Sequence, residues 1–207
     1  MTKKRTNNLP MFFNYKEENT DNGYESMQDF FISWTLRCAV EHLKNENPVL
    51  QGYAKKMVYF LLYSNDEKNN ELLERYQNDF FEITKISTKR QFGLIDLFVE
   101  IDYKINSNDV QRCVFNIENK WYSGIRNQQL EKSAEFIKNG YDCTIINIVL
   151  FCDYEKITDE VVLHCRNNNY KCLTVEELKD FSGIRFEEPS NNDIFDEYWL
   201  NFYDTNV

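Results

Sequence analysis

The stretch Phe92–Leu130 carries two apolar runs, FGLIDLFVEI (92–101) and CVFNIENKWYSGIRNQQL (113–130). The first run and the opening of the second have the character of strands, and both hold acid where a strand should be greasy. Asp96 interrupts Leu94-Ile95 and Leu97-Phe98-Val99. A lone carboxylate there is expensive to bury without a partner, and a metal ion is one such partner. In the second run side chains alternate with period two. Phe115, Ile117 and Asn119 fall on one face, and Asn116, Glu118 and Lys120 on the other. Glu118 and Lys120 therefore project side by side.

Two carboxylates on neighbouring strands suit a hard divalent cation such as Mg²⁺, which prefers oxygen ligands. A nearby ammonium can orient or help deprotonate a water and offset charge on a phosphoryl group. These parts fit metal-assisted hydrolysis of a phosphodiester. An E-x-K triplet alone is the ordinary pattern of a solvated strand end, where an ion pair contributes little. Asp96 just upstream, inside an apolar run, weighs against that bland reading.

G-x-I-D-L at Gly93–Leu97, I-E-N-K-x-Y-x-G at Ile117–Gly124, and Gln129-Leu130 on the following helix together resemble the PD-(D/E)XK nuclease superfamily, in the branch whose core strand ends in I-E-N-K. The resemblance implies a restriction-endonuclease-like α/β fold, a mixed central sheet flanked by helices. It implies catalytic roles for Asp96, Glu118, Lys120 and Gln129, and a Mg²⁺ or Mn²⁺ ion held by Asp96 and Glu118 with the backbone carbonyl of Asn119. The segment ESMQDFFISWTL (Glu25–Leu36) resembles the family's first helix, which adds Glu25 to the ligand set. An acid opening a helix is also simply favoured by the helix dipole. Four positions depart from the family pattern. Ile95 replaces the proline before the Asp, Gln28-Asp29 replaces a His-Ser pair, and Ser133 stands where an aromatic residue is usual.

At 207 residues the chain can bury one proper core. With 42% hydrophobic and 15% aromatic residues it is no disordered chain. No apolar run reaches a membrane span, and MTKKRTNNLPMFFNY lacks the apolar stretch of a secretory signal. The expectation is a cytoplasmic protein without a membrane. Six cysteines without C-x-x-C spacing read as reduced thiols rather than a zinc site. His42 and His164 lie far from the acidic stretch, so a Ser-His-Asp arrangement has no support, and neither a P-loop nor G-x-S-x-G is present.

The net charge of −10 argues against strong unaided binding to DNA, whose affinity comes largely from Lys and Arg on phosphates. Lys85, Lys89, Arg90, Lys120 and Arg126 nonetheless fall around the acidic stretch. The expected partner is nucleic acid, DNA before RNA, in prokaryotic or phage defence, and a homodimer or a protein partner stays open. The charge equally admits a catalytically silent nuclease-fold binding protein or an acidic inhibitor that imitates DNA, since fold does not fix function.

Three segments are expected: a mobile one at 1–22, the nuclease-like domain at 23–184, and an acidic aromatic segment at 185–207 packed on it. Apolar spacing predicts helices over 26–43, with Met27, Phe30, Phe31, Trp34 and Cys38 inward, and over 49–62. Strands are predicted over 80–88, 92–103 and 111–119 as an antiparallel meander. A helix over 127–138, a buried parallel strand over 144–151, a helix over 158–165, a strand over 170–173 and a capping box at Thr174–Glu177 follow.

Overall fold

The computed structural model describes residues 24–64, 69–121, 124–126, 128–152 and 157–202. The segment 1–22, the start of the predicted 127–138 helix and the end of the C-terminal segment lie outside them. Helix α1 spans Tyr24–Arg37, and a 3₁₀ turn spans Glu41–Asn45. Helix α2 spans Pro48–Tyr63, α3 Asn69–Asn78, β1 Phe81–Phe92, β2 Ile95–Ile105 and β3 Gln111–Lys120. Then come α4 Gln129–Lys138, β4 Thr144–Phe151, α5 Asp159–Asn167, β5 Tyr170–Thr174 and α6 Val175–Ser182. The described chain closes with the single turn α7, Asp193–Asp196, which runs on into a π-type turn at Glu197–Phe202.

The five strands form one mixed sheet in the order β1-β2-β3-β4-β5. The first three make the antiparallel meander, and β4 and β5 join in parallel. The change of direction follows from the connections: short links turn β1 into β2 and β2 into β3, whereas α4 and α5 carry the chain back before β4 and β5. Both faces are covered, which is why β4 is almost wholly apolar, interrupted by Asn147. On one face α1, α2 and α6 pack through Ile32, Leu36, Met57 and Leu178 against Leu97, Val99, Phe115, Ile117 and Leu150. On the other, α4 and α5 place Leu130, Ile137 and Cys165 against Phe98, Val114, Val149 and Phe151.

Several boundaries differ from the sequence reading. The first helix ends at Arg37 rather than running to residue 43, because the backbone turns extended at Val40 (φ −65°, ψ 136°). Its inward stripe also rotates. Gln28, Ile32 and Leu36 are wholly buried, while Phe30 is 49% exposed. Strand β1 continues through Lys89 and Arg90, which pair with Phe98 and Leu97, and past left-handed Gln91 (φ +49°) to a two-residue hairpin at Gly93-Leu94 closed by Phe92 opposite Ile95. Gly93 has φ +64°, the left-handed value that the first loop position of such a turn requires. Helix α2 starts where Asn47 caps Leu50 N with Pro48 in the first turn. The Thr174–Glu177 capping box is fully formed. The C-terminal aromatics are core: Phe195, Tyr198 and Trp199 are wholly buried, with Tyr198 stacked on Phe31 at 4.3 Å.

Candidate active site

The site forms where β2 and β3 stop pairing. Their ladder ends at Leu97 opposite Ile117, and continuing that register by one residue sets Asp96 across from Glu118. Because side chains alternate, Asp96, Glu118 and Lys120 share the face covered by α4. Beyond the last pair, the Asn119 backbone N–H donates to Asp96 Oδ2 at 3.3 Å. The hairpin holds the same carboxylate from the other side, where Gln91 Nε2 reaches Asp96 Oδ1 at 3.4 Å.

Glu118 and Lys120 are almost fully buried, at 2% and 4% exposure. Lys120 Nζ donates to Glu118 Oε1, and Gln129 Nε2 donates to the same oxygen at 2.5 Å. Gln129 is itself fixed, since its Oε1 accepts from Arg126 N at 3.2 Å. That contact also closes the start of α4, just after left-handed Gln128. Burial, followed by the adjoining Asp96 carboxyl, pushes Glu118 up to about 8 against the pull of Lys120. A buried carboxyl held beside a partly exposed one favours sharing a proton or a cation.

Beneath this pair lies a second buried polar layer. Asn116 donates to Asn147 Oδ1 at 2.9 Å and to the Tyr170 hydroxyl at 2.6 Å, and accepts from Ser133 Oγ at 2.9 Å. Tyr170 passes its own proton to Leu130 O at 3.1 Å. Ser133 is thus one end of a satisfied network between α4 and the sheet, small because a larger side chain would displace it.

The opposite face of β3 is tied to α1. Asn119 points its side chain there, donating to Asp29 Oδ1 and accepting from Gln28 Nε2 at 3.1 Å. Gln28 Oε1 in turn accepts from Cys152 Sγ. Glu25 Oε1 accepts from Trp121 N at 3.1 Å, and Ser33 Oγ bonds Thr88 at 2.9 Å. Glu25, Asp29 and Ser33 follow at i, i+4, i+8 and form one polar stripe laid on the sheet. Burial, then the Asp96 charge, raises Asp29 to about 6, with the Asn119 amide opposing.

The structure thus brings Asp96, Glu118, Lys120 and Gln129 into one cluster. It sets Glu25 at the end of β3, bonded to backbone. Among the described residues no three His, Cys, Asp or Glu side chains converge as a ready metal cage. Gln28, Asp29 and Gln91 contact the site without having been assigned to it. The i, i+4 spacing of Glu25 and Asp29 on a helix facing the sheet was the signal for Asp29. The basic residues separate: Lys89 and Arg90 are on the hairpin beside Asp96, whereas Lys85 pairs with Asp102, further along the strand.

A family model described as the PD-(D/E)XK nuclease superfamily matches residues 19–192, and the chain belongs to that superfamily. A search of curated proteins finds no match. Among solved structures, the chain is similar to the MspJI restriction endonuclease in complex with a 27-mer oligonucleotide, at 11% identity and a TM-score of 0.35, over 95% of this chain and 39% of that one. The chain therefore spans well under half of that endonuclease.

Proposed function

We propose that the chain is a divalent-metal-dependent nuclease that hydrolyses phosphodiester bonds, in DNA before RNA. The observation that supports it is the buried Lys120–Glu118–Gln129 cluster set across from Asp96. Asp96 and Glu118 would hold Mg²⁺ or Mn²⁺, with the Asn119 carbonyl beside them and Glu25 at the rim. The donor set fits. Both are carboxylates, burial and then the adjoining Asp96 raise Glu118, and Mg²⁺ is commonly held by one or two carboxylates together with waters and substrate phosphate. When bound, the ion supplies Lewis-acid polarisation of the phosphoryl group.

The chain's own residues do the rest. Lys120 Nζ, anchored on Glu118 Oε1, orients the attacking water and offsets the negative charge that grows on the phosphoryl oxygens as the water oxygen bonds phosphorus and the ester oxygen departs. Gln129 keeps the Glu118 carboxyl turned toward Asp96. The hydrophobic wall of Val149, Phe151 and Leu130 excludes bulk water and strengthens each of these interactions.

The test is metal binding by calorimetry together with plasmid nicking, on wild type, Asp96→Ala and Lys120→Met. Methionine keeps the buried stem of Lys120 and removes only its ammonium, which avoids the cavity an alanine would leave. Cleavage should fall by roughly 10²–10³-fold in Lys120→Met with metal binding retained, and both should vanish in Asp96→Ala. Full activity in Lys120→Met would sink the assignment. The charge of −10 favours a second reading, a silent binding protein or acidic DNA mimic. No metal binding in the wild type would decide for it. Homodimerisation and a role in prokaryotic or phage defence, in the cytoplasm, belong to the same proposal.

A further inference from the structure

The tip of the β1–β2 hairpin and the first helix carry a surface that the hydrolytic cluster does not use. Large apolar side chains stand exposed at eight described positions, among them Leu94 at the hairpin tip, Phe30 of α1 on one face of the hairpin and Phe136 of α4 on the other, the face that holds Asp96. Single exposed apolar residues are normal, but a local group beside a functional site marks contact. Each side of the hairpin pairs a cation with a ring. The Arg90 guanidinium lies 5.2 Å from the Phe30 ring centre and donates to Ser26 O at 3.4 Å. The Lys89 ammonium lies 4.7 Å from the Phe92 ring, which Phe136 meets edge-on at 5.7 Å. Both sides of the hairpin connect to the site. Gly93 packs against the Phe136 ring, and Gln91, next to Arg90, bonds Asp96.

Resting on the nuclease reading, we infer that this hairpin surface stacks an unpaired base beside the scissile phosphate, so that the substrate is nucleic acid with single-stranded character at the cut. Three arguments lead there. A phenyl ring offers a base a stacking face, and the face of a paired base within a duplex is already covered by its neighbours. Aromatic rings interleaved with cations are the pattern by which proteins hold single strands. A chain of charge −10 gains little from long-range attraction to phosphate, so short-range stacking must carry more of the affinity.

The test uses the full chain in the Lys120→Met background, so that the probe survives. Labelled single-stranded, blunt duplex and flapped duplex oligonucleotides of one sequence are titrated with Mg²⁺ by fluorescence anisotropy. Phe30→Ala should weaken single-strand and flap binding roughly tenfold or more, with blunt duplex binding moved far less. Phe30→Trp should restore it, and Arg90→Gln should weaken it without lowering the melting temperature. Cleavage by the otherwise wild-type Phe30→Ala chain should lose its preference for flap over blunt duplex. Unchanged single-strand binding in Phe30→Ala, or an equal loss on blunt duplex, overturns the inference while leaving the nuclease reading intact. If the Lys120→Met chain binds no oligonucleotide and the wild type cuts none, the nuclease reading falls and takes the inference with it. The surface is then a protein-docking patch.

Discussion

Among the residues of the site, Glu118 is the one whose chemistry the fold alters most. Its carboxyl is pushed up to about 8 by burial and by Asp96. A carboxyl raised in the folded state holds its proton there while the unfolded chain has already lost it. Stability is therefore highest below its ordinary range and declines as pH rises toward 8, by at most about 1.4 kcal/mol per pH unit. Asp29, raised to about 6, adds a decline of the same sign over the lower part of the window. In EDTA, the melting temperature should fall between pH 5.5 and 8, and Glu118→Gln should flatten most of that fall. A melting temperature that rises with pH, or a Glu118→Gln profile identical to wild type, would contradict the geometry. The sequence placed Glu118 beside Lys120 through simple alternation. It could not show that the pair is dry, because burial depends on α4 and β4 closing over it.

At the scale of elements, the hairpin is the critical device. Phe92 and Ile95 pair across Gly93-Leu94, and Asp96 follows at once. A side chain at Gly93 would meet the Phe136 ring at 2.6 Å and carry a φ of +64°. Gly93→Ala should therefore cost about 1–3 kcal/mol, seen as a melting temperature lower by roughly 2–4 °C per kcal/mol. Because Asp96 moves with the turn, cleavage should fall more than stability accounts for. A Gly93→Ala protein with wild-type melting and cleavage would show that the turn is not held as described. The three-strand meander and the buried fourth strand were legible from short links, period-two alternation and a nearly all-apolar run. The length of β1 was not. Thr88-Lys89-Arg90 is polar, and only its pairing with the apolar β2 makes it strand. The rotation of α1 was likewise hidden, since the helix is covered by the sheet on one side and by Tyr198 and Phe195 on another.

At the scale of the molecule, a charge of −10 sits on a chain read as meeting nucleic acid. Binders that neutralise many phosphates lose roughly 10³–10⁵ in affinity between 50 and 200 mM salt. With two hairpin cations and stacking as the main contacts, this protein should lose less than about tenfold over that range. Anisotropy titrations at several KCl concentrations, with Mg²⁺ held constant, measure it. A steep slope would point to a basic surface supplied by a second copy or another protein. Divalent metal should also stabilise the whole fold. At a concentration ~100 times its Kd a single bound ion contributes about 2.7 kcal/mol, so the melting temperature in Mg²⁺ should exceed that in EDTA, and by more at pH 8 than at pH 5.5. No helix among the described residues is long and apolar enough to cross a membrane.

By itself the sequence determined the order of the elements and the identity of the candidate hydrolytic groups, because both are written locally. Strand alternation puts Glu118 and Lys120 on one face, and a carboxylate in an apolar run makes Asp96 conspicuous. Tertiary structure alone decided which groups meet. Asp96 faces Glu118 only through a register between strands, Gln129 reaches Glu118 only because α4 begins where it does, and Asn119 is held by Gln28 and Asp29 from a helix some ninety residues away. It also decided that Phe30 is left outside. Spacing along one helix can show which residues share a face, but not which face the rest of the molecule will cover.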